Sequence, residues 1–168
     1  MHFPFSTTTL PTHEEICALG DALRKRNWTI SCAESCTGGG LAYTFTQVAG
    51  SSDWFRQSWV TYSNDAKHDR LGVSTQTLEH FGAVSAETVE EMVSGVARIA
   101  ESEVAISVSG VAGPGGGSAE KPVGLVWFGF YLNGEIVTEK QQFDGSRQHI
   151  REQAIAYALR FVFQWLNN

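Results

Sequence analysis

The stretch from Val123 to Leu132 is almost continuously apolar, Asn133 and Gly134 interrupt it, and Glu135 to Phe143 resumes an extended pattern. An Asn-Gly pair readily takes the left-handed conformations of a two-residue hairpin turn, so these two runs must be antiparallel neighbours. A strand apolar on both faces needs cover on both. The rest of the chain supplies it, because strand-like runs at Trp28–Ala33, Phe55–Ser63 and Glu103–Ser109 alternate with helical periodicities. Thr12 and Glu15 form a capping-box signal for a first helix carrying Ile16, Leu19 and Leu23 up to about Arg26. After a turn over Glu34–Gly38 a second helix runs towards Gly50, and Asn64 caps a short one through Leu71. Ser85 caps a longer one striped by Val89, Met92, Val93, Val96 and Ile99, and Ser146 caps the last, with Ile150, Ala154, Ala158 and Phe161. The expected fold is a three-layer α/β/α domain on a mixed, mostly parallel sheet containing a β-hairpin.

Such a sheet needs a core, and 168 residues with 42% hydrophobic and 18% charged side chains can bury one. We expect an irregular lead-in over residues 1–11 and a single domain over 12–168. The net charge of -6, with Lys and Arg scattered, leaves no basic footprint for nucleic acid or an anionic membrane. The N-terminus lacks a basic flank followed by a long apolar run, and nothing approaches ~18 uninterrupted apolar residues, so the expected location is cytoplasmic. Cys17, Cys32 and Cys36 lack zinc-site spacing; His13 and Cys17 stand four apart, but two ligands do not make a metal site. Apolar and aromatic helix surfaces leave self-association open.

Ligands of open α/β sheets bind beyond the carboxyl ends of strands, where the turns after Ala33, Ser63 and Ser109 lie. The first carries Ser35. A serine at a helix start has free backbone N–H groups nearby to hold an oxyanion, but its hydroxyl needs a base. The same spacing suits a helix cap at Ser35 or Thr37, with the glycines allowing close packing. Cys36 is a rival nucleophile, since a thiol at a helix N-terminus can have a depressed pKa. Of five histidines, only His68 and His149 lie near these segments, and a Ser-His-Asp triad has no local support. "YSNDAK" offers Lys67, which can be neutral if desolvated, and Tyr62, whose hydroxyl can relay a proton; a surface lysine and a packed tyrosine are the alternative. The Gly110–Gly117 loop could cradle a phosphate or simply be mobile, and it lacks P-loop and dinucleotide spacings. Arg147 and Arg151 share a helix face, where either could grip a phosphate or stay solvated.

Five segments occur together in order: "AESCTGG" at 33–39, "YSNDAK" at 62–67, "GAVS" at 82–85, "SGVAGPGGG" at 109–117 and "KPVG" at 121–124. In this the sequence resembles the CinA C-terminal domain family, in its free-standing nicotinamide mononucleotide amidase form, from about Thr12 onward. The resemblance implies hydrolysis of the nucleotide's carboxamide to nicotinate mononucleotide and ammonia in pyridine-nucleotide salvage, without metal or cofactor. It implies Ser35 as nucleophile, Lys67 assisted by Tyr62 as base, and the amides of Cys36, Thr37 and Gly38 as oxyanion hole. Glu34, Ser109, Gly110, Gly113, Gly115, Gly116 and Arg147 would bind substrate, with Arg147 and the glycine loop taking the phosphate. Ser109 departs from the family's more usual threonine but keeps a hydroxyl. The alternatives are a catalytically silent nucleotide-binding module, or a scaffold in competence or the DNA-damage response.

Overall fold

A computed structural model describes residues 9–168, so the expected lead-in falls mostly outside the described residues. Thr12 starts α1 (His13–Arg24) with a full capping box: its hydroxyl accepts from the Glu15 amide, and Glu15 Oε2 accepts from the Thr12 amide at 2.7 Å. The elements that follow are β1 (Ile30–Glu34), α2 (Gly40–Phe45), β2 (Phe55–Val60), α3 (Asn64–Leu71), α4 (Thr75–Phe81) and α5 (Ala86–Ala100). Then come β3 (Val104–Gly110), β4 (Leu125–Leu132), β5 (Glu135–Gln142) and α6 (Arg147–Leu166).

The strands form one sheet in the order β2-β1-β3-β4-β5. β1 is parallel to β2 and β3, whereas β3–β4 and β4–β5 are antiparallel. Four strands therefore run in one direction and β4 alone runs against them, which is the mixed, mostly parallel sheet with a β-hairpin that was expected.

Side-chain alternation divides the core. Ile30 and Cys32 of β1, Val104, Ile106 and Val108 of β3 and the even-numbered residues of β4 pack with α1, α2 and α6. Ala33, Ala105 and Tyr131 face the other way, onto Leu71 of α3 and Met92, Val93 and Val96 of α5. Gly95 lets α3 lie against α5, since a Cβ there would stand 2.1 Å from the carbonyl oxygen of Leu71. That approach fixes the helix bearing Lys67. Across the first core, Arg160 of α6 makes a two-bond ion pair with Glu15 of α1 at 2.7 and 3.0 Å, both side chains buried.

Boundaries moved where capping chemistry competed. Ser63, not Asn64, caps α3, its hydroxyl accepting from the Ala66 amide at 3.1 Å, and β2 ends at Val60. The second helix stops at Phe45 rather than near Gly50. α4 was not anticipated, although Ser74 caps it in the ordinary way. The carboxyl ends of β1, β2 and β3 lie side by side, and β4 begins at that same end, with Val126 opposite Gly110.

Candidate active site

Glu34, the last residue of β1, organises the turn that follows. Gly39, the residue before α2, has φ +96° and offers no side-chain cap. The Glu34 carboxylate takes over that role, accepting from the amides of Leu41 at 2.9 Å and Ala42 at 3.0 Å and from the Thr37 hydroxyl at 2.6 Å. An anion there satisfies free N–H groups and complements the helix dipole. Glu34 is fully buried, so it faces inward and not a substrate, against the expectation for it.

The turn itself is held by its own backbone. The Ser35 amide donates to Val108 of β3 at 2.9 Å, and the Gly38 amide donates to the Ser35 carbonyl at 3.1 Å. Gly38 has φ +58°, a conformation that costs glycine little. The Gly38 amide is thereby occupied and leaves the expected oxyanion set. Those of Cys36 and Thr37 donate to no carbonyl or side-chain oxygen among the described residues, although the Cys36 amide lies against its own thiol.

Lys67 enters from the first turn of α3 and is fully buried. Its Nζ lies 3.0 Å from Ser35 Oγ, 2.8 Å from the Thr61 carbonyl and 3.5 Å from the Tyr62 carbonyl. Burial without a carboxylate partner favours the neutral amine and lowers its pKa from 10.5 to about 8. A neutral amine has two N–H bonds and one lone pair. With both N–H bonds spent on main-chain carbonyls, the lone pair is left for the serine proton.

Tyr62 contributes this carbonyl, not its hydroxyl. Its exposed ring turns out to the mouth of the site, where the hydroxyl accepts from Arg147 Nη2 at 3.2 Å. The expected hydroxyl relay to Lys67 is therefore not formed in this geometry: main chain and side chain leave Tyr62 in different directions. Arg147 Nη1 also donates to the Gly113 carbonyl at 2.7 Å, joining the glycine loop to the β2–α3 connection.

These groups line one cavity of about 310 Å³, bounded by Ser35, Cys36, Tyr62, Lys67, Ser109 and Arg147, with Gly110, Gly113, Gly115 and Gly116 along one wall. No carboxylate is among its described lining residues, while Lys67 and Arg147 are, so its charge suits an anionic ligand. The Ser109 hydroxyl is committed to the Ala83 carbonyl at 2.7 Å, tying β3 to the "GAVS" segment. With its proton so used, its oxygen can still accept from a ligand.

The rival chemistries fare differently. Burial pushes the Cys36 thiol up to about 12, opposite to the depression a reactive thiol needs. His68 bonds the Val73 carbonyl and His149 the Ser146 hydroxyl, so neither serves Ser35. Among the described residues no three His, Cys, Asp or Glu side chains converge as a metal site, and no helix is long and apolar enough to cross a membrane.

The sequence left Arg151 as a phosphate ligand or a solvated side chain, whereas its Nε donates to the Cys36 carbonyl and its Nη2 to the Thr37 carbonyl, each at 3.1 Å. Its i, i+4 spacing from Arg147 was the available signal.

The family model described as CinA C-terminal domain matches residues 13–166. The chain is 55% identical over 149 residues to the nicotinamide-nucleotide amidohydrolase PncC of Enterobacter agglomerans, covering 88% of this chain and 91% of that one. It is 50% identical over 147 residues to the protein of the same name in Escherichia coli K12, covering 87% and 89%. Among solved structures, a CinA superfamily protein from Klebsiella pneumoniae 700603 superposes with a TM-score of 0.89 at 36% identity, covering 94% of this chain and 98% of that one. A competence/damage inducible protein from Agrobacterium tumefaciens gives 0.88 at 39% identity, covering 100% and 99%.

Proposed function

This chain belongs to the CinA C-terminal domain family, and from that premise we propose that it is an amide hydrolase that converts nicotinamide mononucleotide and water to nicotinate mononucleotide and ammonia. Relatives at 50–55% identity named nicotinamide-nucleotide amidohydrolase support the substrate. The observation that carries the chemistry is the 3.0 Å contact of buried Lys67 Nζ with Ser35 Oγ.

In this reading Ser35 Oγ attacks the carboxamide carbon as its proton passes to the Lys67 lone pair. The carbonyl oxygen gains the negative charge, and the amides of Cys36 and Thr37 receive it. As the tetrahedral intermediate collapses, the C–N bond breaks and the Lys67 ammonium protonates the leaving nitrogen, which departs as ammonia. The carboxyl carbon is left as an ester of Ser35. A water then gives a proton to the again neutral Lys67 and attacks the ester carbon, and the proton returns to Ser35 as the acid is released. Atoms balance without a redox step.

Arg147 takes the phosphate together with amides of the Gly113–Gly117 loop. Two of the five guanidinium N–H donors are engaged in the contacts above, so three remain. The reaction belongs to salvage of pyridine nucleotides in the cytoplasm.

The test is ammonia release from nicotinamide mononucleotide by the parent protein and by Ser35→Ala. Turnover in the parent and none in the variant is expected. Binding of the nucleotide without ammonia release from the parent would make the chain a nucleotide-binding module instead.

A further inference from the structure

In the Ser35 turn the amides of Cys36, Thr37 and Gly39 donate to no carbonyl or side-chain oxygen among the described residues, and those of Cys36 and Thr37 directly follow the serine. In a trans peptide the carbonyl and the following amide are coplanar and point in opposite directions, so gripping one aims the other. The Ser35 carbonyl, which shares a plane with the Cys36 amide, is held by the turn itself through Gly38 N–H at 3.1 Å. The Cys36 carbonyl shares a plane with the Thr37 amide. It accepts from Arg151 Nε at 3.1 Å, across a separation of 115 residues.

We propose that Arg151 is the positioning residue of the oxyanion hole: it aims the Thr37 amide by holding the carbonyl of the same peptide plane. The inference rests on the amidase reading above and adds a residue that never touches the substrate.

Several contacts favour this role over that of a plain surface clamp. The second arm of the guanidinium, Nη2, takes the Thr37 carbonyl, so one rigid fork fixes two successive peptide planes. Gly40 N–H shares that carbonyl at 3.0 Å, and the Thr37 hydroxyl is anchored to Glu34 on its other side. A Cβ at Gly38 would only touch Nη2, at 3.4 Å, so the glycine answers to its φ of +58° and not to the fork. A cation on the carbonyl also polarises its peptide unit, making the coplanar N–H a stronger donor at the moment charge appears on the substrate oxygen.

Lysine keeps the charge but lacks the fork, and glutamine keeps two donors but lacks the charge. Arg151→Lys and Arg151→Gln are therefore compared with the parent in kcat and KM for ammonia release and in thermal midpoint. Substrate Kd is measured calorimetrically on a Ser35→Ala background with and without each change. Complete loss of one oxyanion donor lowers kcat by about 10²–10³-fold, and a misaimed donor loses less, so a fall of about 10–100-fold is expected. Substrate Kd and the thermal midpoint should stay near the parent's. An Arg151→Lys protein with kcat within twofold of the parent overturns the inference. So does a loss confined to KM and Kd, which would make Arg151 a binding residue, or one that tracks a lowered thermal midpoint, which would make it a fold residue. Full turnover by Ser35→Ala would sink the serine reading itself and this inference with it; a silent Ser35→Ala beside an unimpaired Arg151→Lys sinks the inference alone.

Discussion

Lys67 Nζ stands 3.0 Å from Ser35 Oγ, and its other hydrogen-bond partners are the main-chain carbonyls of Thr61 and Tyr62. With no carboxylate to hold the proton, desolvation sets the titration, at a pKa of about 8. The base is active when neutral, so kcat should rise tenfold per pH unit below that value and level off above it. A pH–rate profile flat from pH 6 to 9 would contradict the assignment. Because the folded-state pKa lies below the unfolded one, the amine's burial costs stability at low pH, and that cost is relieved as pH rises from about 8 to 10.5. Lys67→Met should therefore lose turnover by about 10³-fold or more while keeping a thermal midpoint at pH 7 no lower than the parent's.

Ser35 and Cys36 are adjacent nucleophile candidates with different surroundings, one against an amine and the other with its thiol pushed up to about 12. Ser35→Ala should abolish ammonia release, and Cys36→Ala should keep at least about a tenth of it. Inhibition by a thiol-alkylating reagent that disappears in Cys36→Ala, together with an active Ser35→Ala, would reverse the assignment.

Glu34 accepts hydrogen bonds from the Leu41 and Ala42 amides, the Thr37 hydroxyl and, at 3.8 Å, the Cys32 thiol. Replacing it with glutamine sets a donor NH2 against amides that also donate, at a cost of about 1–3 kcal/mol for each group left unsatisfied. A thermal midpoint several degrees lower is expected for Glu34→Gln, measured by calorimetry. An unchanged midpoint with raised KM would return Glu34 to the substrate.

Arg147 reaches both the glycine loop and Tyr62 at the mouth of the cavity. A charge-assisted bond to phosphate contributes roughly 1.5–3 kcal/mol, so Arg147→Ala should lower kcat/KM for the mononucleotide about ten- to a hundred-fold. The phosphate-free nucleoside should be much less affected. Equal losses for both substrates would place the phosphate elsewhere.

What the sequence disclosed was periodic or carried by motif. The hairpin was fixed by Asn133-Gly134, α1 by Thr12 and Glu15, and the meeting of the Ser35 turn, "YSNDAK" and the glycine loop by the rule for strand ends. The rest depended on directions that spacing does not encode. Tyr62 supplies a carbonyl and not a hydroxyl because side-chain and main-chain vectors separate where β2 runs into the α3 cap. Glu34 turns inward because Gly39 leaves α2 uncapped, and a pattern of residue types does not show which carboxylate fills that role. Arg151 hydrogen-bonds main-chain carbonyls, which every residue has, so these partners were invisible until the fold brought α6 over the turn.

The register of β4 against β3 has a practical side. Val126 pairs with Gly110 at the end of the sheet that bears Ser35, and Leu132 with Val104 at the opposite end, so the Asn133-Gly134 turn lies a full strand length from Ser35. One rim of the sheet carries the candidate site, and the hairpin turn lies at the other. The chain can therefore be opened, lengthened or tagged at this exposed turn, where a reporter or a new terminus would ride on the molecule without entering the cavity beside Ser35 and Lys67.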